Sequence, residues 1–441
     1  MQTQKQGGKY LRRKQKRQKR KKPLWTLAIV LGVLLLLEGA YFFLCYSKNE
    51  FISYWREAYI ATAMSTMRHR WLAEDLLPAS VVREVTDKYV RIAQAQQSTG
   101  TTWQTEQPQQ TPPREENPAP LEPDLTEPEP EKTPEEIFYE RFWELDRESF
   151  EAYLAEHPEA LENGWESILI NEAGLDDTGT SIRTVQDEQV LAVDAKNQIL
   201  LLRVEGSGYR GVLAVAKDPA RLSIGHSQGV GQGISDYGQT VGVIAQQEGA
   251  VLAMTASGFI DVDSMGNIGN GNGSMLAGLS MSHGNTVLNY PYSNYSWHSY
   301  RRLEIRKDDR LYICPIETPV SEDCRDAMEF EPAVIVDGQA MVSDWWVEIN
   351  PRSVIGQSDR YEILMLAIEG RNYLAGILGT DINECARILE RHGCVQALNA
   401  DGGASMMLWY DGEYLTRCAN LSLSQGRPVP NAFCYGTGES G

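Results

Sequence analysis

Residues 24 to 46, LWTLAIVLGVLLLLEGAYFFLCY, form an apolar run of membrane-spanning length, and no other stretch limits the possible folds as much. Such a run is either a membrane anchor or the core of a cleaved signal. The anchor reading is preferred because the run is longer than a usual signal core and no small-x-small site follows at its end. Residues 1 to 22 hold eleven Lys or Arg and no acid. A block of this kind stays cytoplasmic, which places the rest of the chain outside the cell membrane. Glu38 inside the span is costly unless it pairs, snorkels or lies near the outer interface, and a helix–helix contact is one reason for it.

Removing those eleven cations from the net charge of −19 leaves −30 for residues 23 to 441. Bulk attraction to nucleic acid is therefore excluded, and an anionic ligand must be captured by local arginines. Residues 47 to 98 are rich in helix formers with Trp55, Tyr59, Met64, Met67 and Trp71 in amphipathic spacing, and read as a juxtamembrane helical segment or stalk lying on the membrane or self-associating. His69, between Arg68 and Arg70, reads as solvated. Residues 99 to 134 turn to Gln, Thr, Pro and Glu, the composition of a disordered linker that holds the head away from the bilayer. Residues 135 to 189 open with helical spacing again, with aromatics at 138, 139, 142 and 143 on a face that docks on the domain to follow.

From 190 to 441 the chain is dominated by β patterns: QVLAV, NQILLLRVEG, RGVLAVAKD and RLSIGHS are alternating or continuously apolar, and Asp337-Gly338 marks a hairpin. Helices are fewer and are expected around 238 to 248 and 381 to 392. The class is α+β, with a mixed, largely antiparallel sheet. Cys45 lies in the span, and six cysteines remain outside: Cys314, Cys324, Cys385, Cys394, Cys418 and Cys434. An even number in an exported region suggests disulfides, and spacing invites sequential pairs, although fifteen connectivities exist and Cys385 equally suits a free buried thiol. No zinc spacing occurs. Asp261 and Asp263 precede a Gly/Asn run, but the twelfth position of an EF-hand would be Asn272, so only a looser calcium site remains conceivable there. The loop from 289 to 300 gathers four tyrosines and Trp297, rings suited to stacking on sugar or to ordinary packing.

The chemistry is concentrated near the C-terminus. Asp381 caps a helix through 392 that Gly393 ends, and Val395, Ala397 and Leu398 form a buried strand. Asp401 follows at the strand end, and Gly402 and Gly403 permit positive φ and close backbone approach beside it. Upstream, YEILMLAIEGR (361 to 371) is apolar enough for a strand covered on both faces and ends in Glu369-Gly370-Arg371, with NPRSVIGQ at 350 to 357 before it. A strand-end carboxylate and an arginine thus recur within a short span, as expected where loops of one sheet converge on a site.

NPRSVIGQ, the strand ending in EGR, and ALNADGGAS together resemble the C-terminal half of the phosphodiester glycosidase family, with DPARLSIGHS, YGQTVGVIAQQEGAVLAMTASGF and VIVDGQ in the family's order. The resemblance covers about residue 190 to the end. Three positions depart from it: Ala256 replaces an asparagine, Glu369 replaces an aspartate, and Ala404 replaces a third glycine. The resemblance implies a hydrolase of glycosyl phosphodiesters acting on a cell-envelope or extracellular glycan. In that chemistry the departing phosphate monoester is already a stable anion, so the site needs cations at phosphate and a carboxylate at the anomeric carbon. Arg352 and Arg371 suit the first task. Asp401 suits the second, Glu369 or Asp261 could orient or partner it, and Gln239, Gly402, Gly403 and Ser405 could contact sugar or phosphate. The alternative is a non-catalytic glycan-binding or envelope-assembly protein on the same fold, which the loss of asparagine at Ala256 favours.

Overall fold

A computed structural model describes residues 3–66, 69–103, 131–176, 178–230, 237–262, 265, 271–290, 300–341 and 346–437. The first helix, α1 (Thr3–Tyr46), contains the apolar run, and its segment Trp25–Tyr46 is long and apolar enough to cross a membrane, with mean hydropathy 2.4. Then come α2 (Glu50–Ser65), α3 (Trp71–Glu74), α4 (Ala79–Gln96), α5 (Pro134–Arg141) and α6 (Arg147–Glu156).

The strands begin with β1 (Leu169–Asn171), β2 (Val190–Asp194), β3 (Ile199–Gly206), β4 (Tyr209–Ala216) and β5 (Leu222–His226). After α7 (Val241–Gln247) the chain forms β6 (Ala250–Thr255), β7 (Gly278–Ser282), β8 (Asn285–Tyr290), β9 (Arg301–Arg306) and β10 (Leu311–Pro315). Next are β11 (Cys324–Phe330), β12 (Ala333–Val336), β13 (Gln339–Ala340), β14 (Arg352–Ser358) and β15 (Ile363–Ile368). Helix α8 (Ile382–Arg391) leads into β16 (Cys394–Ala400), followed by β17 (Leu408–Tyr410), β18 (Glu413–Tyr414) and β19 (Asn431–Gly436).

Three sheets result, and every described ladder between named strands is antiparallel: a nine-stranded sheet in the order β1-β2-β3-β4-β15-β14-β16-β12-β13, and two five-stranded sheets, β10-β9-β11-β7-β8 and β18-β17-β6-β19-β5. The large sheet is covered on both faces, which explains its continuously apolar strands. Along β15, Ile363, Met365 and Ala367 face the small sheets, while Leu364, Leu366 and Ile368 face a helical layer that includes α5, α6 and α8. Helix α8 starts where Asp381 accepts from the Glu384 amide at 2.8 Å, and its Ile382, Cys385, Ile388 and Leu389 are buried on that face. Hairpin turns at Asp337-Gly338 and Asp411-Gly412 have positive φ at both central residues, as a two-residue turn between twisted strands requires.

Three sequence expectations change here. The segment from 47 to 98 is not a free stalk: α2 and α4 pack on the large domain, with the Ile349 amide donating to Thr62 Oγ1 at 3.1 Å and the Tyr89 and Trp346 rings in tilted contact, centroids 5.7 Å apart. The expected linker does not begin at 99 either. The Thr101 amide donates to Ile313 O, and Thr102 amide and hydroxyl both donate to Asp337 at 2.9 and 2.7 Å; the rest of the linker, 104–130, lies outside the described residues. Short polar side chains that read as solvated are here satisfied by a strand edge and a turn aspartate.

The third change concerns the cysteines, all of which are free thiols. Cys314 on β10 and Cys324 on β11 are separated by β9, so two strand spacings of about 4.8 Å each put them beyond disulfide reach of about 7 Å. Cys394 donates to Gln396 O, Cys418 to Ala404 O and Cys434 to Ala432 O. Burial pushes the Cys385, Cys394 and Cys434 thiols up to about 12, so these behave as small core side chains.

Candidate active site

The site follows from strand order. In β14, Arg352 pairs with Ile368 and Ser353 with Ala400, so the start of β14 and the ends of β15 and β16 lie along one sheet margin. That margin carries Arg352, Glu369, Arg371 and Asp401. The third sheet delivers the opposite side: the Asp401 amide donates to Ala256 O at 2.9 Å, just past β6, and Ala432 of β19 pairs with Thr255. Asp261 and the 416–430 loop are thereby carried to the same margin.

Asp401 lies where the two sides of this margin meet. Burial raises its carboxyl to about 6, against the opposing effects of the Ser405 hydroxyl bond and the nearby Arg427 and Arg371; Asp261 pushes in the same direction as burial. Ser405 is held by its backbone, with its carbonyl accepting from Thr255 Oγ1 at 2.6 Å. The two glycines have separate reasons. A Cβ at Gly402 would stand 2.5 Å from Pro351 O, and at Gly403, whose φ is +59°, it would stand 3.2 Å from Arg371 Nη1. Main chain and guanidinium therefore lie directly against the carboxylate loop, and only Gly403 needs the positive φ that glycine permits.

Arg371 itself has φ of +58°, a left-handed conformation uncommon for a long side chain. Its Nη2 donates to Asn350 Oδ1 at 2.8 Å, and burial lowers its pKa, as does Arg352 nearby. Arg352 is committed elsewhere. Its Nε donates to Thr380 O at 3.2 Å and its Nη2 to Glu348 O, while the Glu348 carboxylate lies 3.5 Å away. Burial raises Glu348 to about 7 against that pairing. Arg352 thus underpins the site as a buried ion pair.

Glu369 is committed as well. Its Oε2 accepts from Arg210 Nε at 2.8 Å and its Oε1 from the Arg417 amide at 2.7 Å. Asp261 is gripped by the fork of Arg427, with Nη2–Oδ1 at 2.6 Å and Nη1–Oδ2 at 3.1 Å, and Oδ1 also accepts from the Gly271 amide at 2.6 Å. The Arg427 guanidinium rests 4.7 Å from the centroid of the Phe259 ring. The residues present do not fit calcium at Asp261, because Arg427 takes both oxygens a cation would use; Asp263 lies outside the described residues, and so do residues 291–299 of the aromatic loop. No group of three metal-ligating side chains occurs among the described residues. Gln239 lies farther along, where its Oε1 accepts from the Gln228 amide at 2.9 Å and its own amide donates to Ser227.

Two side chains at this margin have no sequence assignment of their own: Arg427, and Asn350 as the partner of Arg371. Beneath Ala256, which is fully buried, Asn431 joins Ser257 and Ser280, and Ser280 bonds His226 at 2.8 Å. Burial lowers His226 to about 4, so this network is a neutral support under the β6 end.

Residues 248–435 match the family model described as phosphodiester glycosidase. No curated protein matches the chain. Among solved structures, the chain is similar to the zebrafish N-acetylglucosamine-1-phosphodiester alpha-N-acetylglucosaminidase catalytic domain auto-inhibited by its pro-peptide, at 17% identity over 54% of this chain and 82% of that one, TM-score 0.41. It is also similar to a hypothetical protein from Synechocystis, at 16% identity over 57% and 65%, TM-score 0.35. A putative exported protein from Burkholderia pseudomallei matches at 12% identity over 66% and 89%, TM-score 0.36.

Proposed function

We propose that this chain, whose residues 248–435 match the phosphodiester glycosidase family model, is a membrane-anchored hydrolase of glycosyl phosphodiesters with its head on the extracytoplasmic side. The observation that carries this reading is Asp401: a strand-end carboxylate raised to about 6, in the field of Arg371 and Arg427. In the reaction, water adds to the anomeric carbon as the bond to the phosphate oxygen breaks, and the phosphate monoester leaves with the electron pair. Asp401 takes the proton from water, or attacks first as a nucleophile that water later displaces. Arg371 neutralises charge on the departing phosphate, and Arg427 adds to that field while it fixes Asp261. Glu369 and Arg352 act as positioning residues, the first tying the β15 end to Arg210 and Arg417, the second holding the start of β14. Ser405 orients the Asp401 carboxylate, and Gly402 and Gly403 let Pro351 O and the Arg371 guanidinium close against the Asp401 loop. No step is assigned to calcium.

The second reading, a glycan-binding or envelope-assembly protein without turnover, is favoured by one observation, the missing asparagine at Ala256. One experiment separates them. The purified full chain is incubated with a panel of glycosyl-1-phosphodiesters, with and without calcium, and free sugar is followed beside an Asp401→Asn variant. Sugar release that disappears in the variant supports the hydrolase. Binding of the same compounds without release supports the second reading.

A further inference from the structure

The membrane-proximal helices reach the site itself. Arg56 on α2 donates from Nη1 to Leu44 O and Ser47 O, both at 3.0 Å, so α2 is clamped onto the carbonyl end of the apolar helix. Tyr41, inside the candidate span, donates to Leu76 O at 3.0 Å, which draws the turn after α3 back to the level of the span's outer end. At its far end α2 meets the site: Asn350, whose Oδ1 holds Arg371, donates from Nδ2 to Ser65 Oγ at 3.4 Å. From Phe51 to Ser65 is fourteen residues, about 21 Å at the helical rise. Arg371 therefore lies within one short helix of the bilayer surface.

The surface along this path is apolar. Phe51, Tyr54 and Trp55 project from α2 at 72, 42 and 47% exposure, amphipathic rings of the kind that settle at a membrane interface. Tyr54 lies within electrostatic reach of Asp381 and Arg387, which places this ridge beside the start of α8. Between Arg371 and α8 the chain makes a short hairpin, Asn372 bridging Ile377, whose tip exposes Tyr373 at 72% and Leu374 completely, with Leu378 at 40%. An apolar lip thus starts two residues from the site arginine, and the α8 start that follows it lies beside the aromatic ridge at the span end of α2.

We infer that the substrate is a glycosyl phosphodiester whose phosphate carries a long hydrocarbon chain seated in the bilayer, with the 372–378 hairpin contacting that chain while Arg371 takes the phosphate. This rests on the hydrolase reading and on α1 crossing the membrane. A lipid-borne substrate explains why a phosphate-binding site on a strongly acidic head is pinned to the membrane by Arg56 and Tyr41 despite the long polar segment elsewhere in the chain. The bond broken is still the one between the anomeric carbon and the phosphate oxygen, releasing sugar and leaving a lipid phosphate in the membrane.

The test reconstitutes the full chain in vesicles and compares two esters of the same sugar-1-phosphate, one bearing methyl and one a long polyisoprenoid or dialkyl chain. The expected result is a kcat/KM for the chain-bearing ester about tenfold or more above the methyl ester, the scale of burying one leucine side chain. Leu374→Ser is expected to remove most of that preference by lowering the chain-bearing ester alone. Equal kcat/KM for the two esters, or a Leu374→Ser loss shared equally by both, overturns the inference. Binding of both esters to the Asp401→Asn protein, corrected with protein-free vesicles, keeps the two readings apart. Preferential binding of the chain-bearing ester without turnover in the parent protein counts against hydrolysis and for the lipid substrate. Binding without preference counts against the lipid substrate.

Discussion

Glu369 and Asp401 end the two strands that flank β14, and both are strand-end carboxylates followed by glycine, yet they are prepared for different work. Glu369 has each oxygen occupied, one by a guanidinium and one by a backbone amide. Its charge is matched, and the bonds it makes tie three chain segments together. Asp401 has a hydroxyl bond from Ser405 and two arginines acting through space, and burial dominates, raising its pKa to about 6. The position of an acid in a motif is thus a poor guide to its role; the degree to which its charge is already satisfied decides whether it holds the fold or meets a substrate.

Asp401→Asn should have the largest effect of any single change, a fall in turnover of about a thousandfold or more, since it removes the base or nucleophile while keeping shape. Stability should not fall with it. The native pKa lies above the usual aspartate value of 3.8, so the folded state binds more protons between about pH 4 and 6, and stability declines as pH rises through that window. Asparagine removes this penalty, and a thermal melt at pH 7 checks it. Arg371→Met should follow, lowering kcat/KM about a hundredfold by removing a charge-assisted phosphate contact, as steady-state kinetics would read. An effect below threefold would break the pairing of Asp401 with Arg371.

Glu369→Gln should invert the pattern. Denaturant titration is expected to show a loss of about 2 to 3 kcal/mol, under the range for fully buried pairs because Arg210 keeps contact with water. Turnover per folded molecule should stay within about threefold, a change too small for a group that takes part in chemistry. A stable Glu369→Gln protein with activity as low as Asp401→Asn would mean that the two acids share the reaction and that Glu369 is more than a structural tie.

Much of the margin was legible in the sequence, for reasons particular to each residue. Asp401 stood out because an apolar strand, an acid and two glycines leave few readings, and the structure supplies a separate close approach for each glycine, Pro351 O and Arg371. Arg427 could not be found this way. It lies in a loop without periodicity and reaches Asp261 only because β19 pairs with β6. Asn350 sat in a quoted motif, but its role depends on Arg371 adopting a left-handed backbone. The cysteine pairs failed because an even count cannot distinguish bridges from buried thiols that donate to carbonyls. Thr101 and Thr102 read as linker because composition does not reveal that Asp337 and Ile313 wait to bond them.

The smallest effect is also the most specific. The Ser405 hydroxyl bond lowers the Asp401 pKa against the larger effect of burial. Ser405→Ala should therefore raise that pKa further, by less than about one unit, since a single hydrogen bond of about 1 kcal/mol is at stake. The acid limb of kcat/KM, which reports the free enzyme, should start near pH 6 in the parent protein and move upward in the variant. Activity at pH 5 then falls several-fold while the plateau above pH 8 barely changes. A role for Ser405 confined to folding would lower both alike, and a role in holding sugar would raise KM at every pH. Only a limb that moves with the plateau fixed ties the raised carboxyl of Asp401 to turnover, and Glu369→Gln, whose acid is already satisfied, should leave that limb where it is.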